Sequence, residues 1–449
     1  MRFIPNNEPV RRAMLQEMGL SGVEELFAAI PEPLRLNRPL DIPPGLAEED
    51  HLARFEALAA ANEGPRLRAF LGGGSYAHFI PLTAVEVLRR AEFFTSYTPY
   101  QPEISQGTLQ AIFEFQTFIT ALTGMEVANA SVYDGASAAA EAVLMATRLQ
   151  RGRQRVLLPA GLHPHYRRVI ETYTRQLGLT LETVPADAES GRLAAGAVAE
   201  RLGPDVSAVV VQQPNFHGVV EDLDALAERV HAAGALLVVV VAEALSLALL
   251  KPPGESGADL VVGEAQSFGV PTYYGGPYLG FMATRDAHKR QLPGRIAGET
   301  VDAEGRRGFV LTLATREQHI RRERATSNIC TNQNLVMMAA LAYLTVMGAE
   351  GLREVAGHNV ALMSYFLQGL ADLPGWRRTF GGPVFNEVTL TAPGPAAEAV
   401  ARARARGVLP GIDLGRFDPA QADRLLVAIT EVHRKDDVDA LLTALRETP

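Results

Sequence analysis

Two stretches of this chain concentrate side chains that can do chemistry. The first runs from Tyr97 to Gly107 and reads Tyr-Thr-Pro-Tyr-Gln-Pro-Glu-Ile-Ser-Gln-Gly. It is polar and aromatic, and Pro99 and Pro102 stiffen it. Such a loop is expensive to bury for packing alone, and its groups can donate and accept hydrogen bonds toward a small zwitterion. Tyr97, Tyr100, Gln101, Glu103, Ser105 and Gln106 are therefore candidates for the wall of a substrate pocket or channel. The second stretch, Thr315 to Asn332, carries Arg316, Arg321, Arg322, Arg324, Thr326, Ser327 and Asn328. Arginine forks there can take a carboxylate or a phosphate, or can make ion pairs along a subunit interface, and both readings stand. Arg321, Arg322, Arg324, Thr326, Ser327 and Asn328 are the interface candidates. Cys330 has no base near it in sequence and is not read as a nucleophile. It is the only cysteine, no metal-ligand spacing accompanies it, and the expectation for metals is none. Lysine is scarce: Lys251, Lys289 and Lys435 are the only amines on side chains.

The elements that must position these groups alternate along the chain. Before them lie helices: Gly19 can end one, and Ser21 with Glu24 reads as a capping box for the next. Thr83 with Glu86 reads as a second capping box, opening a helix through Arg90. Ser105 reads as the cap of a longer helix that Gly124 ends, with Leu109, Ile112, Phe113, Phe115, Phe118, Ile119 and Leu122 at helical spacing. Strands are expected at 127–132, 155–158, 179–184, 206–211, 236–241, 259–262 and 278–283, with helices from Ala136, over 165–176, over 193–202 and from Glu221 to Gly234. The Gly/Pro-rich link before the last strand is too short for a crossover helix, so that strand should run reversed. A long helix from Asn334 through Leu370 should lead to a small α+β unit with strands over 385–391 and 425–429. Its helices are expected over 396–406 and 438–446, the latter capped by Asp436. The expected organisation is an N-terminal helical segment (1–60), a large domain (61–330) and a small α+β domain (331–449), around a mostly parallel seven-strand sheet. Gly72 to Gly74 reads as a flexible turn that could border a channel.

With 449 residues, 47% of them hydrophobic, the chain can build a large core and a smaller appended one. The net charge of -9 argues against a nucleic-acid partner, and the alternating Ala-Arg run at 401–406 reads as a solvated helix face. The apolar stretch from Ala235 to Leu250 is interrupted by Glu243 and is short for a membrane span, so no membrane is expected. The opening MRFIPNNEPV shows no signal-peptide pattern, and a single cysteine fits a reducing compartment, the cytoplasm.

The Tyr97–Gly107 and Thr315–Asn332 strings closely resemble hallmarks of one family, glycine decarboxylase (P-protein) of the glycine cleavage system. Gly22-Val23-Glu24-Glu25-Leu26-Phe27 and the Ile30-Pro31-Glu32 that follows resemble it too. The resemblance covers essentially the whole chain and corresponds to the α, or subunit-1, polypeptide of two-chain members. It implies the aspartate-aminotransferase-like α/β fold, PLP fold type I. It also implies a complex that decarboxylates glycine and passes the aminomethyl group to the lipoyl arm of H-protein.

Pyridoxal phosphate (PLP) needs a lysine amine to hold its aldehyde. In this fold the lysine follows the strand at 259–262. The loop there, Gly263 to Pro271, has no lysine, and Gln266 or Ser267 stands near the expected position. Glu243 is the only carboxylate that could face the cofactor ring nitrogen, and it is poorly offset. The expectation is that this chain binds no cofactor and that PLP sits on a lysine-bearing β partner. An α2β2 assembly would then engage glycine and lipoylated H-protein, with the Tyr97 loop reaching the β pocket. A purely structural or regulatory subunit is the alternative. In this fold Asp134 to Ala140 opens a helix where a phosphate would be gripped; it can equally be a small-residue helix packed on the sheet. His163 lies where a ring-stacking residue is common but reads as a surface helix start, and Gln213, Pro214 and Asn215 read as structural.

Overall fold

Runs of β-branched residues that alternate with nothing polar must be covered on both faces, and here they form the middle of a seven-stranded sheet. The computed structural model describes residues 5–446. The chain divides into two units, one ending at Glu63 and one beginning at Gly64.

The first unit contains helices α1 (Glu8–Glu17) and α2 (Glu48–Ala60), neither with a buried residue. Asn7 caps α1, and Gly19 follows it in the left-handed conformation. The Ser21 capping box is corrected: Ser21 pairs with Glu25 rather than Glu24, ahead of a 3-10 turn at Val23–Phe27.

The second unit opens with β1 (Arg68–Ala69), α3 (Leu82–Arg89), α4 (Ala91–Phe94) and α5 (Gln106–Thr123). Pro81, not Thr83, stands at the start of α3, which has no side-chain cap, and Thr83 lies inside the helix. Ser105 does precede α5, but its hydroxyl makes no capping bond. The sheet follows as β2 (Val127–Ala128), α6 (Gly135–Leu149), β3 (Arg155–Pro159), α7 (Pro164–Thr174), β4 (Thr180–Val184), α8 (Ala195–Ala199), β5 (Val206–Gln212), α9 (Leu223–Ala232), β6 (Leu236–Val241), β7 (Leu260–Glu264) and β8 (Gly280–Thr284). Its order is β2-β8-β7-β6-β5-β3-β4, with β8 antiparallel to both neighbours and the other pairings parallel. Every residue of β5, β6, β7 and β8 is buried.

A hairpin that the sequence reading lacked comes next, β9 (Ile296–Val301) and β10 (Arg307–Thr312). After α10 (Gln318–Arg321), helix α11 (Asn334–Leu370) is long and apolar enough to cross a membrane by length and composition. It is a core element of this fold: Gly348 breaks its helical geometry, and Met337, Met338, Leu341 and Leu344 are buried in the cluster that covers the sheet. The C-terminal elements are β11 (Arg377–Arg378), β12 (Glu387–Thr391), α12 (Ala396–Ala405), β13 (Val408–Leu409), β14 (Ile412–Asp413), β15 (Arg424–Ala428) and α13 (Lys435–Arg446). They build an antiparallel sheet of order β11-β12-β15-β14, while β1 pairs with β13 and Phe70 joins the same core. Asp436 lies inside α13 rather than capping it; Asp437 accepts from the Arg434 N–H instead.

Candidate functional site

Where β7 ends, its last residue and the loop behind it meet two other parts of the chain. Glu264 is buried, and its two oxygens take backbone N–H groups from different elements: Gly135 at 3.0 Å and Leu279 at 2.7 Å. Gly135 is the first residue of α6, so the start of that helix faces a carboxylate of the chain itself. Asp134 caps the same helix through the Ser137 N–H at 2.7 Å. Burial pushes the Glu264 carboxyl up to about 7, against the pull of the N–H donors.

Two residues on, Gln266 is buried and fully engaged. Its oxygen accepts from the Tyr76 N–H at 2.9 Å, and its nitrogen donates to the Tyr76 carbonyl at 2.9 Å and the Val270 carbonyl at 2.6 Å. Ser267 is buried beside it, its hydroxyl without a partner. The three lysines stand elsewhere: Lys251 pairs with Asp224, Lys289 with Asp286, and Lys435 lies over the Tyr365 ring.

The segment from Gly72 to His78 fills the space in front of Gln266. It is not the flexible turn that its glycines suggest. A side chain at Gly72 would strike Glu387, Ala428 and Tyr76, and the Gly73 N–H donates to Glu387 at 2.6 Å. The buried Tyr76 hydroxyl donates to the other Glu387 oxygen at 3.0 Å. His78 lies between two carboxylates, Glu431 at 2.9 Å and Glu243 at 3.3 Å. Burial pulls its imidazole down, but Glu243 and Glu431 outweigh that and hold it up at about 10. Burial, opposed by the Gly73 and Tyr76 donors, pushes Glu387 up to about 8. Glu243 also accepts from the Leu245 N–H at 2.9 Å, so the carboxylate that looked poorly placed anchors His78.

His163 corrects its surface reading. It is buried, its Nε2 donates to the Gly73 carbonyl at 2.7 Å, and its Nδ1 accepts from the His165 N–H at 3.1 Å. That pattern is the neutral ring, and burial lowers it to about 4. Gln213 and Asn215 are structural: Gln213 accepts from the Glu221 N–H, and Asn215 donates to the Glu221 side chain. A cavity of about 480 Å³ remains beside these groups, bordered by Gly74, Ser137, His163, Tyr166, Glu264 and Tyr278, with no lysine in its lining.

The two chemistry-rich strings meet away from this cavity. The Tyr100 hydroxyl accepts from Arg295 at 2.9 Å, and the guanidinium lies 5.2 Å over the Tyr100 ring. Arg295 in turn faces Glu317 at 3.5 Å, and His319 stands edge-on to Tyr100 at 5.9 Å. Arg295 belongs to neither string; it is buried, and nothing in its Pro293-Gly294 setting marked it. Tyr97, Gln101 and Glu103 are exposed, as is Ile104. Gln106 is tied to the hairpin, giving to and taking from the Phe309 backbone at 2.8 Å each way. Arg321, Arg322, Arg324 and Asn328 are exposed, while Thr326 and Ser327 are half-buried. Ser327 accepts from the Ile329 N–H, and Arg322 adopts a left-handed φ of 54°. Arg322, Thr326, Ser327 and Asn328 border a separate cavity of about 800 Å³ with Glu141 and Arg148. Cys330 is exposed. Among the described residues no cluster of three or more His, Cys, Asp or Glu could hold a metal.

Comparison with known proteins places this architecture. The family described as "Glycine cleavage system P-protein" matches residues 1–445. A probable glycine dehydrogenase (decarboxylating) subunit 1 from Thermomicrobium roseum is 48% identical over 448 residues, covering 100% of this chain and 99% of that protein. The protein of the same description from Moorella thermoacetica is 47% identical, with 99% of each covered. A crystal structure of glycine decarboxylase (P-protein) of the glycine cleavage system, in inhibitor-bound form, is similar with a TM-score of 0.89 at 45% identity and full coverage of both chains. A sphingosine-1-phosphate lyase from Burkholderia pseudomallei shares the fold at 18% identity, with a TM-score of 0.65 and 93% of each chain covered. The fold is PLP fold type I.

Proposed function

We infer the function from one premise: this chain belongs to the glycine cleavage system P-protein family. The relatives from Thermomicrobium roseum and Moorella thermoacetica are named as subunit 1, and a subunit works with a second one. We take this chain to be the half of a glycine decarboxylase that does not hold the cofactor. The observation that carries the reading is Gln266. Gln266 or Ser267 is near the position expected for the cofactor lysine, and all three hydrogen bonds of Gln266 go to the chain's own backbone.

The residues present do not fit PLP. The helix start that would hold its phosphate already has Glu264 against it, and Gln266 is bonded to both backbone groups of the buried Tyr76. The cofactor would sit on a lysine-bearing β subunit, in an α2β2 assembly of the cytoplasm. That complex would decarboxylate glycine and pass the aminomethyl group to lipoylated H-protein. This chain's contribution is to position. Tyr97, Tyr100, Gln101, Glu103 and Ser105 form or border the wall of the partner's pocket; Gln106 holds that loop to β10. Arg295 fixes the Tyr100 ring from behind, by a hydrogen bond and by lying over its face. The exposed Arg321, Arg322 and Arg324, with Thr326, Ser327 and Asn328, are assigned to the subunit interface.

The test is reduction by borohydride after incubation with PLP, followed by peptide mapping. The chain alone should yield no pyridoxyl-lysine at Lys251, Lys289 or Lys435, and the complex should carry the label on the partner. A stable adduct on any of those three lysines overturns the reading.

A further inference from the structure

Resting on that reading, we propose that Glu264 is the residue that bars phosphate-bearing cofactors from this chain, by holding its carboxylate at the start of α6 in place of a phosphate. A missing lysine removes only the covalent link to a cofactor. It leaves the phosphate grip of the fold intact, since that grip is made of backbone N–H groups at a helix start. Here the grip is closed separately.

Three observations carry the assignment. The first is the bonding: the Gly135 N–H, at the positive end of α6, donates to one Glu264 oxygen, and the Leu279 N–H donates to the other. An N–H on each oxygen is the pattern that an anion at this place would itself receive. The second is space. A side-chain carbon at Gly135 would lie 2.9 Å from the Glu264 Cβ and 3.0 Å from its backbone nitrogen, so the helix start and the carboxylate-bearing residue are in contact. The third is fixity. Glu264 is the last residue of β7, paired across the sheet with Gly280, is 2% exposed, and has each carboxylate oxygen held by a backbone N–H. The cavity of about 480 Å³ opens on this same point, lined by Asp134, Ala136, Ser137 and Glu264. An entering phosphate would reach the right helix and meet a buried carboxylate.

The experiment uses the full chain and inorganic phosphate as the probe, by equilibrium dialysis and thermal melting, against chloride at equal ionic strength. The variants are Glu264→Ala, Glu264→Ser and Glu264→Gln. The parent and E264Q, which keeps the volume, should take up no phosphate. E264A and E264S should take up one phosphate per chain, at least about tenfold more tightly than the parent, with a melting temperature that rises with phosphate and not with chloride. If E264A and E264S do not fold in chloride, refolding in phosphate should recover them. Folded variants that take up no more phosphate than the parent, or unfolded ones that phosphate does not recover, overturn the proposal. Both results leave the reading of the subunit untouched, because that reading stands or falls on the lysine adduct.

Discussion

Replacing His78 by alanine tests the buried contacts that join the Gly72–His78 segment to two carboxylates. The imidazole is the only cation between Glu431, 2.9 Å away, and Glu243, 3.3 Å away, and all three side chains are nearly excluded from water. Each carboxylate keeps one backbone donor, Phe79 N–H for Glu431 and Leu245 N–H for Glu243. Removing the ring therefore leaves two buried carboxylates facing one another without a counter-charge. Breaking a buried ion pair by removing one partner costs about 3–5 kcal/mol. One carboxyl can take up a proton instead, which favours the lower figure. At about 1 °C per kcal/mol for a chain of this size, the melting temperature should fall by about 3–5 °C near neutral pH. The sign of the pH dependence follows from a folded value of about 10 against 6.5 for the free side chain. His78 stabilises fully below about 6.5, and that contribution is lost as pH rises through about 10. The gap between parent and His78→Ala, measured by circular dichroism melts, should thus be wide at pH 7 and close toward pH 10. A gap under about 1 °C at pH 7, or one that widens with pH, would refute the assignment of a charged His78 between two carboxylates.

Three further outcomes are expected. Tyr97→Phe with Tyr100→Phe, in the complex with the partner, should slow glycine–bicarbonate exchange by about tenfold while the partner keeps its PLP, as loss of one transition-state hydrogen bond would. Exchange at the parent rate would make the loop structural. Glu221 and Glu264 are raised to about 7 and Glu387 to about 8, all by burial, against 4.5 for the free side chain. Folding should therefore take up protons, and their contribution to stability should fall as pH rises from about 4.5 to about 8; His163 and His217, lowered by burial to about 4, should instead remove stability as pH falls from about 6.5 to about 4. Potentiometric proton uptake on refolding at pH 6.5 checks the carboxyls: proton release would contradict them. The lone chain should self-associate and the partner should suppress this, because Leu34, Leu40, Ile42 and Phe55 of the first unit are all exposed; a monomer in sedimentation, unchanged by the partner, would argue otherwise.

The sheet was legible because its strands are apolar on both faces: β6 at Leu236–Val241 and the reversed β8 follow directly from composition and from a link too short to cross over. Helix starts were less so. Ser21, Thr83, Ser105 and Asp436 each fit a capping pattern, yet none makes the expected bond, because neighbours such as Pro81 or Glu25 settle the geometry first. The β9–β10 hairpin was missed although Asp302 and Gly305 mark its turn, since glycines dilute the alternation of its strands. The lysine-free loop was readable as a string of letters. The buried contacts around it were not, because the Glu387–Tyr76 and Glu431–His78 bonds join residues 311 and 353 positions apart. No local pattern marks a residue by a partner that distant.

The segment from Gly72 to His78 also has a mechanical meaning. On one side it is bonded to Gln266 and Glu243, just past the ends of β7 and β6, and on the other to Glu387 and Glu431, at one end of the C-terminal sheet where the start of β12 pairs with the end of β15. Just before it, β1 runs along β13 as a short parallel pair. Any swing of the four-stranded sheet toward β6 and β7 would have to shear these bonds together. The hinge that two lobes around an open crevice would have is thereby riveted shut. Such a body acts as a stator: it presents a fixed face, and the displacements that accompany turnover fall to whatever moves against it.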